Sequence, residues 1–299
     1  MNPPKISIVT PSFNQGEYLE ETILSILNQN YQNLEFFIMD GGSTDASIDI
    51  IKKYEHQLTY WESKKDKGQT HAINKGFNKC TGDIITFCNS DDIYFPGTFK
   101  YISKKWDSWK TYGAFIGAFE YMDKYSRTIG IPRKPRLEMG APTDLTVASN
   151  GSYRLHQVST FFTKQALDTA GKFVDDKYQY VFDRELLYRI VNHFPIYLDD
   201  KPLGAFRIHN KSKSISKIIS FSQDFATLYR SKKSGNSKLD TQREINAKYH
   251  LFRGKIKYAK THPNKFKQIQ SLVEALWIHP ISLFDVGYWS YWKNIIITN

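Results

Sequence analysis

The chain has 299 residues, of which 40% are hydrophobic and 24% charged. That balance excludes a disordered or fibrous chain, and its two cysteines, Cys80 and Cys88, exclude a disulfide framework or a cysteine-based metal cluster. The net charge of +11 is uneven: from Lys213 onward there are 15 Lys/Arg against 5 Asp/Glu, whereas residues 1–212 are almost balanced.

No basic stretch followed by an apolar core opens the chain, and no apolar run approaches the ~18–20 residues of a membrane span, so a cytoplasmic protein is expected. Lys5–Thr10 reads as a strand ended by Pro11, and Glu17–Gln29 as a helix with Leu19, Ile23, Ile26 and Leu27 on one face. Leu34–Met39 is a second strand running into Asp40-Gly41-Gly42-Ser43-Thr44-Asp45, where Ser43 or Thr44 is expected to cap a helix. Leu58–Glu62 is a short third strand, Gln69–Lys79 a helix stopped by Gly82, and Asp83–Cys88 a fourth strand. Alternating strands and helices predict βαβ units and a parallel sheet.

Ligands of such sheets bind outside the carboxyl ends of the strands. Pro11-Ser12-Phe13-Asn14, Asp40-Gly41-Gly42 and Asn89-Ser90-Asp91-Asp92 all sit at such ends and should share one rim. Two adjacent carboxylates repel and are costly to desolvate, so a positive partner is expected beside them. No glycine-rich dinucleotide fingerprint, phosphate loop or zinc helix is present. A phosphorylated ligand would then have its charge met by Mg²⁺ or Mn²⁺ held on the paired carboxylates.

Further on, Gly113–Asp123 and His156–Lys164 read as strands and Asp183–Phe194 as a helix. In the basic tail, Thr241 and Glu244 have capping-box spacing, and Ile245, Tyr249, Phe252, Ile256 and Ala259 form one stripe before Pro263.

The ordered set "SIVTPSFNQGEYLEETILSILNQNYQNLEFFIMDGGSTD", "DKGQTHAINKGFNKCTGDIITFCNSDDIYFPG" and "HQVSTFF…VFDRELLYRI…FRIHNKSKS" resembles glycosyltransferase family 2 over roughly Lys5–Ser216. The resemblance implies an α/β chain of GT-A fold: a Rossmann-like, mixed but mostly parallel sheet flanked by helices. Residues 1–212 would form that catalytic domain and 213–299 a helical C-terminal extension. It implies an inverting, metal-dependent transferase that takes a nucleotide-diphosphate sugar as donor and a saccharide or lipid-linked saccharide as acceptor. The family's usual work points to cell-surface polysaccharide or lipopolysaccharide.

Carried over by position, Pro11, Ser12, Phe13, Asn14 and Asp40 would hold the base and ribose. Asp66, Lys67, Gly68, Gln69 and Asn74 would line the same nucleotide pocket. Asn89, Ser90 and Asp91 stand where the family has Asp-x-Asp, with Asn89 departing from its first Asp. Asp91 and Asp92 are thus the metal candidates for Mn²⁺ or Mg²⁺, joined by His209 of "RIHNKS", which matches a histidine that closes over the diphosphate or metal. Asp183 matches the general base. Without the resemblance, Asp183 reads as a helix N-cap and His209 as an ordinary histidine.

Two rival classes stand beside this reading. One is a non-catalytic nucleotide-sugar-binding or scaffold protein, which the departure at Asn89 favours. The other is a nucleic-acid binder, ranked last because the basic tail carries no recognition motif, so no nucleic-acid partner is expected. The aromatic-rich tail 213–299 is read either as packing or as peripheral contact with an anionic membrane at the inner face of the plasma membrane.

Overall fold

The computed structural model describes residues 3–137, 153–210, 212–232 and 235–280. The strands are β1 (Ile6–Ser12), β2 (Leu34–Asp40), β3 (Tyr60–Ser63), β4 (Ile84–Phe87), β5 (Ile93–Tyr94), β6 (Ala114–Met122), β7 (Thr128–Arg133), β8 (Arg136–Leu137), β9 (Tyr153–Arg154), β10 (Thr160–Thr163) and β11 (Ile196–Arg207). The helices are α1 (Leu19–Leu27), α2 (Ser47–Tyr54), α3 (Gln69–Lys79), α4 (Thr98–Lys104), α5 (Trp106–Trp109), α6 (Lys164–Thr169), α7 (Phe182–Val191), α8 (Lys213–Ser216), α9 (Ile218–Ser231), α10 (Ser237–Thr261) and α11 (Lys265–Ile278).

Two compact units emerge. Of the described residues, the first holds 3–137, 153–177 and 182–209, and the second holds 178–181, 210, 212–232 and 235–280. In the first, a mixed sheet runs in the order β3-β2-β1-β4-β10-β6-β11-β5, with β7 beside β6 and β8–β9 as a separate pair. Strands β3, β2, β1 and β4 are mutually parallel, and α1, α2 and α3 make the crossovers between them. Their isoleucines and phenylalanines are buried on both faces, as a sheet covered by helices requires. Gly76 lets α3 lie close on β1, since a Cβ there would come within 2.4 Å of Val9 Cγ1.

Several local expectations change. Strand β1 continues through Pro11 to Ser12, because pairing with β4 ends at Val9 and no β4 carbonyl awaits the missing N–H. Ser43 and Thr44 do not cap α2: the Ser43 hydroxyl donates to Asp40 Oδ1 at 2.5 Å, and Asp45 Oδ1 accepts from Ser47 N at 3.0 Å instead. His156–Lys164 is strand only over β10, preceded by a 3₁₀ turn at Gln157–Ser159. In the second unit, α10 starts at Ser237 under an Asn236 cap, so Thr241 lies inside the helix and forms no capping box. Phe252, Ile256 and Ala259 bury against Leu272 and Ala275 of α11, while Ile245 remains exposed.

Candidate active site

The register of the parallel strands builds the rim. Ser12 lies opposite Asp40, and Asp40 opposite Ser63, in one row across β1, β2 and β3. The Asp40 carboxylate is fully buried and accepts from Gly42 N, Ser43 N, Ser43 Oγ and Ser63 Oγ at 2.5–3.0 Å. Its bonds thus shape the turn. Asn14, at φ +51°, donates its backbone N–H to Ser43 Oγ and accepts from Thr44 N, locking the β1 loop to the same turn. Phe13, beyond Pro11, is 59% exposed. Its ring and the Asp66 carboxylate wall Gly41, where a Cβ would come within 3.3 and 3.2 Å of them. Asp66 Oδ1 accepts from Gly68 N at 2.8 Å, and Gly68, at φ +114°, opens α3 beside the exposed Lys67. The hydroxyls of Ser12 and Thr70 are buried and find no hydrogen-bond partner among the described residues.

Asn74 lies further along α3. Its carboxamide pairs with both backbone groups of Val174 at 2.8 and 2.9 Å, tying α3 to the loop before α7.

Beyond β4, Asn89–Asp92 is a turn held from inside. Gln69 Nε2 donates to Asn89 Oδ1 at 2.6 Å; Asn89 Nδ2 donates to Asp92 Oδ2 at 3.1 Å and to Gln157 Oε1 at 3.2 Å. Gln157 Nε2 then donates to the Phe87 carbonyl at 2.6 Å. An amide suits the Asn89 position because it must accept on one side and donate on the other. Asp92 is wholly buried, and its other oxygen accepts from Arg207 N at 3.0 Å. Burial, then the neighbouring Asp91 charge, push its carboxyl well above the ordinary range. Ser90 is buried between them.

Asp91 faces the other way. Its Oδ2 lies 2.9 Å from His209 Nε2, and the His209 ring sits 4.7 Å from that of Tyr18. Among the described residues no cluster of three or more His, Cys, Asp or Glu is arranged to hold a metal. The Asp91–His209 pair nevertheless fits one. Neighbouring ligands on an octahedral ion, each at about 2.1 Å, stand roughly 3 Å apart, and Mn²⁺ accepts both carboxylate and imidazole. Of the two acidic candidates, the structure therefore points only Asp91 at His209 and turns Asp92 inward.

Arg207, which the sequence reading missed, is the brace of this turn. It is fully buried; Nε donates to the Asp91 carbonyl at 2.8 Å and Nη2 to Glu21 Oε2 at 2.5 Å, with the guanidinium 4.9 Å over the Tyr18 ring. Its only sequence signal is its place two residues before His209.

Asp183, in the first turn of α7, lines a small cavity of about 20 Å³ together with Phe87, His156, Gln157, Phe162 and Leu187. That is room for about one water molecule. Asp183 Oδ1 accepts from Arg184 N at 2.9 Å. Burial raises its pKa, the direction expected of a base tuned toward neutrality. Glu185 is buried and bonded to Arg189 Nε at 2.8 Å, away from that role. His156, given no role from sequence, packs between Phe119 and Phe206 at 4.4 and 4.7 Å. Burial, then the Arg184 charge, lower its pKa to about 3, so it is neutral. Gln157 belongs both to the cavity wall and to the Asn89 chain, and so joins the two halves of the site.

A curled sheet with carboxylates beyond a parallel edge is the architecture of GT-A transferases. The sequence model of glycosyl transferase family 2 matches residues 7–171, and this chain belongs to that family. A glycosyltransferase of Haemophilus influenzae is 44% identical over 96 residues, 31% of this chain and 38% of its own length. One from Rickettsia typhi is 24% identical over 210 residues, 69% of this chain and 65% of its own. Bacillus subtilis TuaG, named for teichuronic acid biosynthesis, is 35% identical over 94 residues, 30% of this chain and 36% of its own. The chain thus spans less than two thirds of each of these relatives. Staphylococcus aureus TarS 1–349, solved with UDP-GlcNAc, superposes with a TM-score of 0.61 at 14% identity over 92% of this chain and 81% of its own. The mannosyltransferase PcManGT of Pyrobaculum calidifontis, solved with GDP-Man and Mn²⁺, gives 0.63 at 14% over 100% and 88%. These likenesses establish the GT-A fold.

Proposed function

We propose that this protein is an inverting glycosyltransferase that moves a sugar from a nucleotide-diphosphate donor to a hydroxyl of a saccharide or lipid-linked saccharide acceptor. The observation that carries it is the join between two halves of one rim: the Asp91–His209 pair at 2.9 Å, and the Asp183 cavity reached through Asn89 and Gln157. The donor nucleotide lies in the cradle of Phe13, Gly41 and Asp66, its sugar toward Asp91. Ser12 and Thr70 supply buried hydroxyls with hydrogen-bonding capacity left over.

Asp91 and His209 would hold Mn²⁺ or Mg²⁺, which supplies positive charge against the leaving diphosphate. Asp183 takes the proton of the acceptor hydroxyl as its oxygen bonds to the anomeric carbon. The bond from that carbon to the diphosphate oxygen breaks, and the diphosphate leaves with the electron pair. One displacement from the opposite face inverts the anomeric centre. Phe87, Leu155, Phe162 and Leu187 give the cavity at Asp183 a partly apolar lining.

TuaG supports a cell-surface polysaccharide as the product class. Among the described residues no helix is long and apolar enough to cross a membrane. That both cysteines are free and buried supports a cytoplasmic location. The test is a screen of UDP-, GDP- and dTDP-sugars for Mn²⁺-dependent thermal stabilisation, followed by donor turnover. Absence of stabilisation by any of them, with or without metal, would sink the proposal.

A further inference from the structure

We infer that the outer face of α11 is a docking surface for an anionic lipid membrane. Helix α11 is apolar on two opposite sides. Leu272 and Ala275 turn inward and pack on Phe252, Ile256 and Ala259 of α10. Phe266, Ile269, Val273 and Trp277, spaced by three, four and four residues, line the opposite face. They are 76%, 37%, 41% and 83% exposed. A scattered exposed apolar residue means nothing, but a helical stripe with a ring at each end is a surface. At 1.5 Å per residue the two rings lie about 17 Å apart along the axis, as in a helix lying flat at a headgroup boundary.

Charge selects the occupant. The four acidic residues between 213 and 280 are already engaged: Glu244 with Arg230, Asp240 with Arg243, Glu274 with Lys255, and Asp224 with the Tyr180 N–H. Lys248, Arg253 and Lys267 are exposed on α10 and α11. A second copy of the chain would bring the same basic surplus against this one, whereas an anionic bilayer neutralises it. Phe and Trp are among the side chains that interfacial helices bury at the headgroup boundary.

The test is co-sedimentation of the full chain with phosphatidylcholine vesicles, with and without phosphatidylglycerol, at low and high salt. The expected result is binding to the anionic vesicles that salt weakens. Phe266→Ser with Trp277→Ser should lower partitioning by about tenfold or more per ring, with an unchanged melting temperature. Should that variant fail to fold, Lys265→Glu with Lys267→Glu should reduce binding to anionic vesicles alone. Wild-type protein that ignores anionic vesicles at low salt overturns the inference, as does a folded double variant that binds like wild type. So does a dimer in sedimentation that the double variant dissolves, which assigns the face to a second copy. The vesicle assay needs no donor sugar, so its failure leaves the transferase proposal standing.

Discussion

Asp91 Oδ2 and His209 Nε2 meet at 2.9 Å although 118 residues separate them along the chain. Arg207 makes the meeting possible, since it holds the Asp91 backbone from the same strand end that delivers His209. If the pair holds a cation, His209→Ala and Asp91→Ala should each weaken Mn²⁺-dependent donor binding by about tenfold or more. Binding of the bare nucleoside should hardly change, because the carboxylate reaches the diphosphate only through the cation. Calorimetry with and without Mn²⁺ checks this; equal losses in both conditions would count against a metal role.

Asp183→Asn should lower turnover by roughly 10²–10⁴ with donor affinity intact. Glu185→Gln should instead cost stability, because Glu185 is buried against Arg189. An inactive Glu185→Gln beside an active Asp183→Asn would reverse the assignment.

The raised pKa of Asp183 sets a pH prediction. The base works only when deprotonated, so kcat/KM should rise with pH through a limb above the ordinary Asp value of 3.8. For stability, His156 has a pKa that falls from 6.5 to about 3 on folding, and it acts against the raised carboxyls of Asp92 and Asp183. The unfolded chain then binds a proton that the folded chain refuses. Its contribution is full above pH 6.5 and is lost as pH falls toward about 3. Denaturant melts at a series of pH values should show a stability difference between wild type and His156→Phe that shrinks as pH falls below 6.5.

Asn89→Asp, which restores the family's first acidic residue, should not tighten metal binding. A carboxylate there would face Asp92 Oδ2 and Gln157 Oε1 with no proton to donate. The expected cost is about 1–3 kcal/mol of stability. Chemical denaturation and a Mn²⁺ titration measure the two effects; a stable variant with higher metal affinity would refute the hub role.

Arg207→Met should destabilise the first unit by roughly 2–3 kcal/mol, the lower end for breaking a buried pair because Glu21 is itself 41% exposed. Mn²⁺-dependent donor binding should fall with it, as the Asp91 turn loosens. Thermal unfolding monitored beside donor binding would detect an uncoupled outcome.

Periodicity and strand ends alone placed β1, β2, α3 and β4, and the rule for parallel sheets put Ser12, Asp40 and Asn89–Asp92 on one rim. These features are local: a strand alternates, a helix repeats every 3.6 residues, and a βαβ unit has one handedness. The motif series likewise marked Asp91 and Asp92, unranked, with Asp183 and His209 as candidates. The tertiary structure alone turned Asp92 inward, closed Asp40 on its own turn, gave Asn74 to Val174 and drew Arg207 and Gln157 into the site. Neighbouring carboxylates look alike in a sequence. Which one is buried depends on hydrogen-bond partners brought from residues 69, 157 and 207, and chain distance carries no trace of that until the sheet has formed.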